Sequence, residues 1–286
     1  MSYLKNTVDL ENLRYSCRVL ISLLNHAEKY VKPGQDCGDW NNFVEDFFDN
    51  YNCKPSFKDH HGYKYNICIS IGDEVVHGIA KKGKIIPENT LVSFDCGAIY
   101  KGMFSDSART VAVGTINNVK DLSNINPRAL EMMKICDSSL DAAIKLLKSG
   151  VQVRDISKAI NDIVKPTGFG NVVELGGHGV GYEVWSAPYI SHQPIKHKDQ
   201  KTVLLKDKII CIEPMLTLGG SDDVSFDDTV SDGWTVRTSD GSLSCHSEHE
   251  IIITKEGHEV LTQIEDDQTL EIPLILIEKY KNSLFQ

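Results

Sequence analysis

The chain has 286 residues, 30 Lys and Arg against 40 Asp and Glu, a formal charge of −10, and 41% hydrophobic residues. That is ordinary globular composition, with too few Gly and Pro for a fibrous or low-complexity chain and no run of the roughly 20 apolar residues that spans a bilayer. The acidic balance argues against a general nucleic-acid binder, which needs a basic surface to neutralise phosphates.

The N-terminal stretch lacks the basic-then-apolar order of a signal peptide, so the expected location is the cytoplasm. Leu10, Leu13, Cys17, Leu20, Ile21, Leu24 and Ala27 recur at helical steps and predict a helix over 9–30, capped by Asp9 and stopped at Pro33-Gly34. A second helix follows Asp36, with Trp40, Phe43, Val44, Phe47, Phe48 and Tyr51 on one face; an aromatic stripe at this spacing reads as core. The period then changes to two through 66–80 and 91–114, predicting strands. Lys81, Lys82 and Lys84 read as a solvated loop. The second half repeats the plan: Asn126-Pro127 opens a helix that ends at Gly150, a helix over 153–164 follows, and β segments are expected at 172–174, 209–216 and 242–254. Two halves, each with a helix pair followed by strands, predict an internally duplicated α+β domain of 1–286. Eight singly spaced cysteines, with no C-x-x-C pair, read as buried thiols of a reducing compartment.

Residues 91–114 carry the strongest chemical signal. If Lys101-Gly102 is the hairpin loop, Tyr100 pairs with Met103 and Asp106 faces Gly97, which shares a sheet face with Asp95. The two carboxylates then converge, with open space expected beside the glycine. Two acids facing each other in a β core repel unless a cation lies between them or one is protonated; the other reading is a pair of solvent-facing acids. His178 in LGGHGVG, Glu213 in IICIEPML and Glu248 in SCHSEHEIIIT follow, the two glutamates beside β-branched runs where an unpaired carboxylate is costly. Four carboxylates balance two divalent cations, and with a neutral imidazole they form a set suited to Mn, Fe(II), Co or Zn. Such a pair performs metal-assisted hydrolysis. No phosphate-cradling loop, nucleophile elbow or catalytic cysteine pattern appears.

The order Asp95, Asp106, His178, Glu213, Glu248 resembles the metal centre of the pita-bread metallopeptidases. HGY at 61–63, CISIGDEVVHGIA at 68–80, FDCG at 94–97, DGWTV at 232–236 and SEHE at 247–250 resemble type I methionine aminopeptidase in particular, over about residues 9–262, with a short C-terminal tail beyond. The resemblance implies a pita-bread fold and removal of N-terminal methionine from nascent chains with a small second residue. It implies that Asp95 chelates one ion, that Asp106 and Glu248 bridge both, and that His178 and Glu213 complete the second. A hydroxide shared by the ions would attack the methionyl carbonyl, Glu213 or Glu248 would carry the proton, and His77 would bond the scissile amide. Tyr63, Cys68 and Trp234 would wall the methionine pocket. Methionyl peptides are the implied partners and the ribosome a candidate one; a monomer is expected, with no membrane or specific nucleic-acid partner.

The sequence departs from the family pattern after GHGVG, where Val184 stands at a phenylalanine position and Trp185 at that of a second active-site histidine. Losing one such donor costs about a hundred- to a thousandfold in rate. Phe57 and His60 also stand at pocket positions usually held by other residues. Two other readings stay open: an Xaa-Pro peptidase of the same fold, and a binding module weakened in catalysis by Trp185. His192 and His197 read as surface loop residues, and 221–232 as an acidic surface loop.

Overall fold

The computed structural model describes residues 3–226 and 232–286, so residues 227–231 of the acidic loop lie outside the described residues. Helix α1 spans Thr7–Tyr30 and α2 Cys37–Asn50. The cap of α1 is Asn6, whose Oδ1 accepts the amide of Asp9 at 2.9 Å; the expected cap, Asp9, lies in the first turn, where its carboxylate favours the helix dipole. The second helix follows Asp36 as expected, and Asp36 caps it by accepting the amide of Gly38.

The strand pair Thr90–Tyr100 and Met103–Val113 forms an antiparallel hairpin in the expected register, Tyr100 against Met103 and Gly97 against Asp106. Lys101 and Gly102 both take positive φ, the left-handed turn that suits strand twist. The Cys68–Ile71 strand flanks this hairpin, setting Cys68 against Asp95. Lys84 corrects the solvated-loop reading: it is largely covered, ion-paired to Glu74 Oε2 at 2.5 Å and donating to the Ile69 carbonyl. Lys82 stays exposed, beside Asp39 and Asp36.

In the second half, α3 spans Pro127–Lys145 and α4 Val153–Val164. Helix α3 stops before the expected Gly150, although Leu147 still packs in the core. The strand expected at 172–174 forms instead at Gly170–Asn171. The segment 209–216 is two strands, Ile209–Ile212 and Met215–Thr217, parted at Glu213-Pro214; 242–254 is Ser244–His246 and His249–Ile253, parted at Ser247-Glu248. The first break passes the chain from a five-stranded to a three-stranded sheet, and the second passes it back.

One apolar cluster joins α1 and α2 to the hairpin, and another joins α3 and α4 to the second-half strands. The helices thus lie outside the sheets, in the duplicated plan, and the strand ends converge between the halves. The stretch after residue 262 does not trail as a tail. Ile272, Leu276, Tyr280 and Leu284 enter the first cluster, and Gln35 Nε2 donates to the Leu284 carbonyl at 2.9 Å. All eight cysteines are buried and free. Among the described residues no helix is long and apolar enough to cross a membrane.

Candidate active site

A pocket of about 530 Å³ opens where the two halves meet. Its lining includes every site residue expected from the sequence: Asp95, Asp106, His178, Glu213, Glu248, His77, Tyr63, Cys68, Trp234 and Trp185, together with Phe57 and His60. Asp95 and Asp106 come from the hairpin and His178 from the Gly176–Gly179 strand. Glu213 and Glu248 come from the two strand breaks. Ile212 pairs with His249, and the same register carried one step further sets Glu213 opposite Glu248. A break there explains how acids beside β-branched runs enter the pocket: the interrupted ladder turns their side chains out of the sheet.

Burial raises all four carboxyls. Desolvation pushes Asp95 and Glu213 up to about 7. Asp106 is raised by desolvation and then by Asp95 and Glu213, and Glu248 by desolvation and then by Asp106, Glu213 and Asp95. The solvent-facing alternative for the hairpin acids is thereby excluded, since Asp95 is 9% and Asp106 4% exposed. Three oxygens, Asp95 Oδ1, Asp106 Oδ1 and Glu248 Oε1, are buried with no hydrogen-bond partner among the described residues. Bare carboxylate oxygens cost free energy unless a cation meets them.

His178 Nδ1 lies 3.1 Å from the Gly179 carbonyl, which accepts its proton and leaves Nε2 as a bare lone pair. That Nε2 is 3.4 Å from Glu213 Oε1 and 3.8 Å from Asp106 Oδ2. A lone pair facing carboxylate oxygens is repulsive by itself and favourable around a shared divalent ion, and fixing the second nitrogen is the usual support for a metal-bound imidazole. Ligand atoms of Asp106, His178, Glu248 and Cys211 all lie within 4.8 Å of one another. Burial holds the Cys211 thiol well above its ordinary range, so it is a neutral neighbour of Glu248 rather than a thiolate. The donor set of oxygens and one imidazole fits divalent metal.

The open space expected beside Gly97 is filled: a Cβ there would meet Ser56 Oγ at 2.0 Å and the Ser105 carbonyl at 2.5 Å. Glycine is needed for close packing at the back of the site, and the room lies in front of the carboxylates.

His77 takes φ +58, a left-handed conformation rare for a side chain with Cβ. Solvent reaches its ring through the open pocket, yet dense surroundings lower its pKa, chiefly by desolvation. It is a neutral imidazole at the pocket wall. Tyr63 and Trp234 meet edge to face at 5.1 Å, and with Cys68, Ile79 and Phe57 they form one apolar cluster. The Tyr63 hydroxyl donates to the Ile67 carbonyl at 3.1 Å, which holds the ring in place. Trp185 is 54% exposed, whereas Val184 is buried.

Two buried histidines at the site are not among the sequence-derived candidates. His192, read as a surface residue, is 1% exposed; its Nε2 accepts the amides of Gly177 at 3.3 Å and Glu213 at 3.4 Å. His246 is 1% exposed, with Nε2 3.5 Å from Glu213 Oε2. Its signal in the sequence was period two: it stands two residues before Glu248. His192 had no such signal, because only the fold of its loop buries it. His197 does lie in a partly exposed loop, capping a short helical turn.

Comparison with known proteins agrees with this geometry. The sequence matches metallopeptidase family M24 over residues 11–255. Methionine aminopeptidase of Clostridium acetobutylicum is 34% identical over 93% of this chain and 100% of its own length, and that of Aquifex aeolicus 36% identical over 90% and 96%. The solved methionine aminopeptidase of Thermotoga maritima superposes with a TM-score of 0.83 at 34% identity, over 92% of this chain and all of that one. Prolidase from Pyrococcus furiosus, 22% identical with a TM-score of 0.71, shares the fold over 92% of this chain and 66% of its own. With its pita-bread α+β architecture, the chain belongs to metallopeptidase family M24.

Proposed function

We infer that the protein is a methionine aminopeptidase, a metallo-exopeptidase that removes methionine from the N-terminus of polypeptides, here with a small second residue. The observation that carries this reading is the meeting, in one pocket, of partnerless buried carboxylate oxygens with an apolar aromatic slot. Relatives named methionine aminopeptidase at 31–36% identity over most of the chain support it. An Xaa-Pro specificity has less support, because the prolidase and Xaa-Pro dipeptidase neighbours are 22–23% identical and share the fold alone. A binding module without catalysis is not favoured either.

The enzyme works with divalent metal, and two ions, of Mn, Fe(II), Co or Zn, match the four negative charges. Asp95, Asp106, His178, Glu213 and Glu248 would hold them. When bound, the ions supply Lewis-acid polarisation of the scissile carbonyl and acidify water. The rest falls to the chain's own residues. Tyr63, Cys68 and Trp234 take the thioether in the apolar slot, where a flexible, polarisable side chain packs well. Neutral His77 donates to the scissile amide and steadies it. Glu213 or Glu248 carries a proton to the leaving amine. Trp185, at the pocket wall, carries its N–H on a bulkier frame than the imidazole of the family pattern, which places the donor differently toward the developing oxyanion. A monomer in the cytoplasm, working on nascent chains at the ribosome, completes the proposal.

The test is release of methionine from a Met-Ala-Ser peptide by chelator-stripped protein resupplied with each metal in turn, beside a peptide with proline second. Metal-dependent release from the alanine peptide is expected. Failure with every metal, or release confined to the proline peptide, overturns the reading.

A further inference from the structure

Three imidazoles surround Glu213. His178 Nε2 faces Oε1 at 3.4 Å, His246 Nε2 faces Oε2 at 3.5 Å, and His192 Nε2 accepts the backbone amide. His178 and His246 differ in how their other nitrogen is held. His178 Nδ1 has an acceptor in the Gly179 carbonyl, the arrangement that supports a metal-bound imidazole. Neither nitrogen of His246 has a hydrogen-bond partner among the described residues, although the side chain is 1% exposed.

The main chain that carries the ring is held on both sides. The His246 amide donates to Thr110 Oγ1 at 2.8 Å, and its carbonyl accepts from the same hydroxyl at 2.8 Å. With the Thr110 proton so committed, the 2.7 Å contact between Ser93 and Thr110 takes its proton from Ser93. Strand pairing of His246 with Met215 fixes the other side. The ring itself is buried and stands against Glu213, with Nε2 3.5 Å from Oε2. A neutral imidazole carries one N–H, and a buried N–H left bare is rarer than a bare lone pair. Of the two nitrogens, Nε2 is the one that faces an acceptor, Glu213 Oε2 at 3.5 Å.

We propose that His246 is a positioning residue for Glu213: its Nε2–H donates to Oε2 and turns the carboxylate so that Oε1, beside His178, is presented to the metal. This rests on the reading of Glu213 as a metal ligand. Direct ligation by His246 is disfavoured, since its Nδ1–H would then be buried without an acceptor.

The experiment titrates cobalt(II) into the full-length, chelator-stripped protein and into His246→Gln and His246→Leu, reading affinity by calorimetry and geometry by visible absorption. His246→Leu is expected to weaken binding of one ion about 10- to 100-fold and to shift the cobalt bands. His246→Gln, whose amide N–H donates across a similar reach, stays close to the unmodified protein. Melting of the metal-free forms separates positioning from plain structure, because positioning predicts that His246→Leu loses affinity without losing metal-free stability. Unchanged cobalt binding by His246→Leu overturns the proposal. So does equal loss in both variants with one imidazole fewer in the X-ray absorption spectrum, which makes His246 a ligand. If the unmodified protein binds no cobalt, the metal role of Glu213 falls first and the proposal falls with it.

Discussion

Asp106 and Glu248 each leave a buried oxygen without a partner, and Asp106 helps raise the Glu248 carboxyl. Replacing either by Ala removes a donor shared by the whole centre. Asp106→Ala and Glu248→Ala are therefore expected to abolish metal uptake and peptide hydrolysis together, as read by metal content and methionine release. Trp185→His is a gain-of-function test of a different kind. Because Trp185 lies half-exposed at the pocket wall, the exchange costs little stability, and replacing the bulky indole donor by the smaller imidazole of the family pattern raises kcat by on the order of tenfold to a hundredfold with a smaller change in KM. Steady-state kinetics with the alanine-second peptide decides it. An unchanged kcat would mean that the indole already serves, or that this position does not meet the oxyanion.

The hairpin of 90–113 sets two carboxylates by register alone, so its packing is under tight constraint. At Gly97 a methyl group would collide with Ser56 Oγ and with the Ser105 carbonyl, one a side chain and the other backbone. Gly97→Ala is expected to destabilise the protein by about 1–3 kcal/mol or more and to displace Asp106, its cross-strand neighbour. Denaturant unfolding and metal affinity should fall together. The hairpin and its alternation were legible in the sequence because period two and a Lys-Gly turn are local signals. The breaks at Glu213-Pro214 and Ser247-Glu248 were not, since the β-branched runs on either side read as continuous strand. Only the competing sheets reveal where the ladder parts.

Across the whole molecule, the site concentrates buried acids whose pKa values lie above those of the unfolded chain. Asp95 and Glu213, at about 7, hold protons in the folded metal-free state that the unfolded chain has already lost, so between about pH 4 and about pH 7 folding takes up protons. These two carboxyls then contribute stability that is greatest at the acid end of that window and falls as pH rises through it, a slope opposed by the buried His77, His192 and His249, whose pKa values desolvation lowers. Bound metal replaces those protons, so melting with excess metal should lose this slope, and metal binding at about pH 6 should release protons to the buffer. Thermal melts across pH, with and without chelator, check both; parallel profiles would contradict the account.

The five donors, their order and the resemblance they carry were fixed by local sequence, because each stands in a short motif whose spacing determines which way a side chain points. The α1 and α2 stripes were equally readable, since helical periodicity needs no long-range information. What tertiary structure decided was burial at a distance. His192, in a polar stretch, is drawn inside by its hydrogen bonds to Gly177 and Glu213, residues 15 and 21 positions away. His246 faces Glu213 only because two sheets exchange strands there, and the stretch after residue 262 joins the core because α1 and α2 leave an apolar face for it. Periodicity reports the faces of an element; which face meets which depends on contacts between residues far apart in the chain.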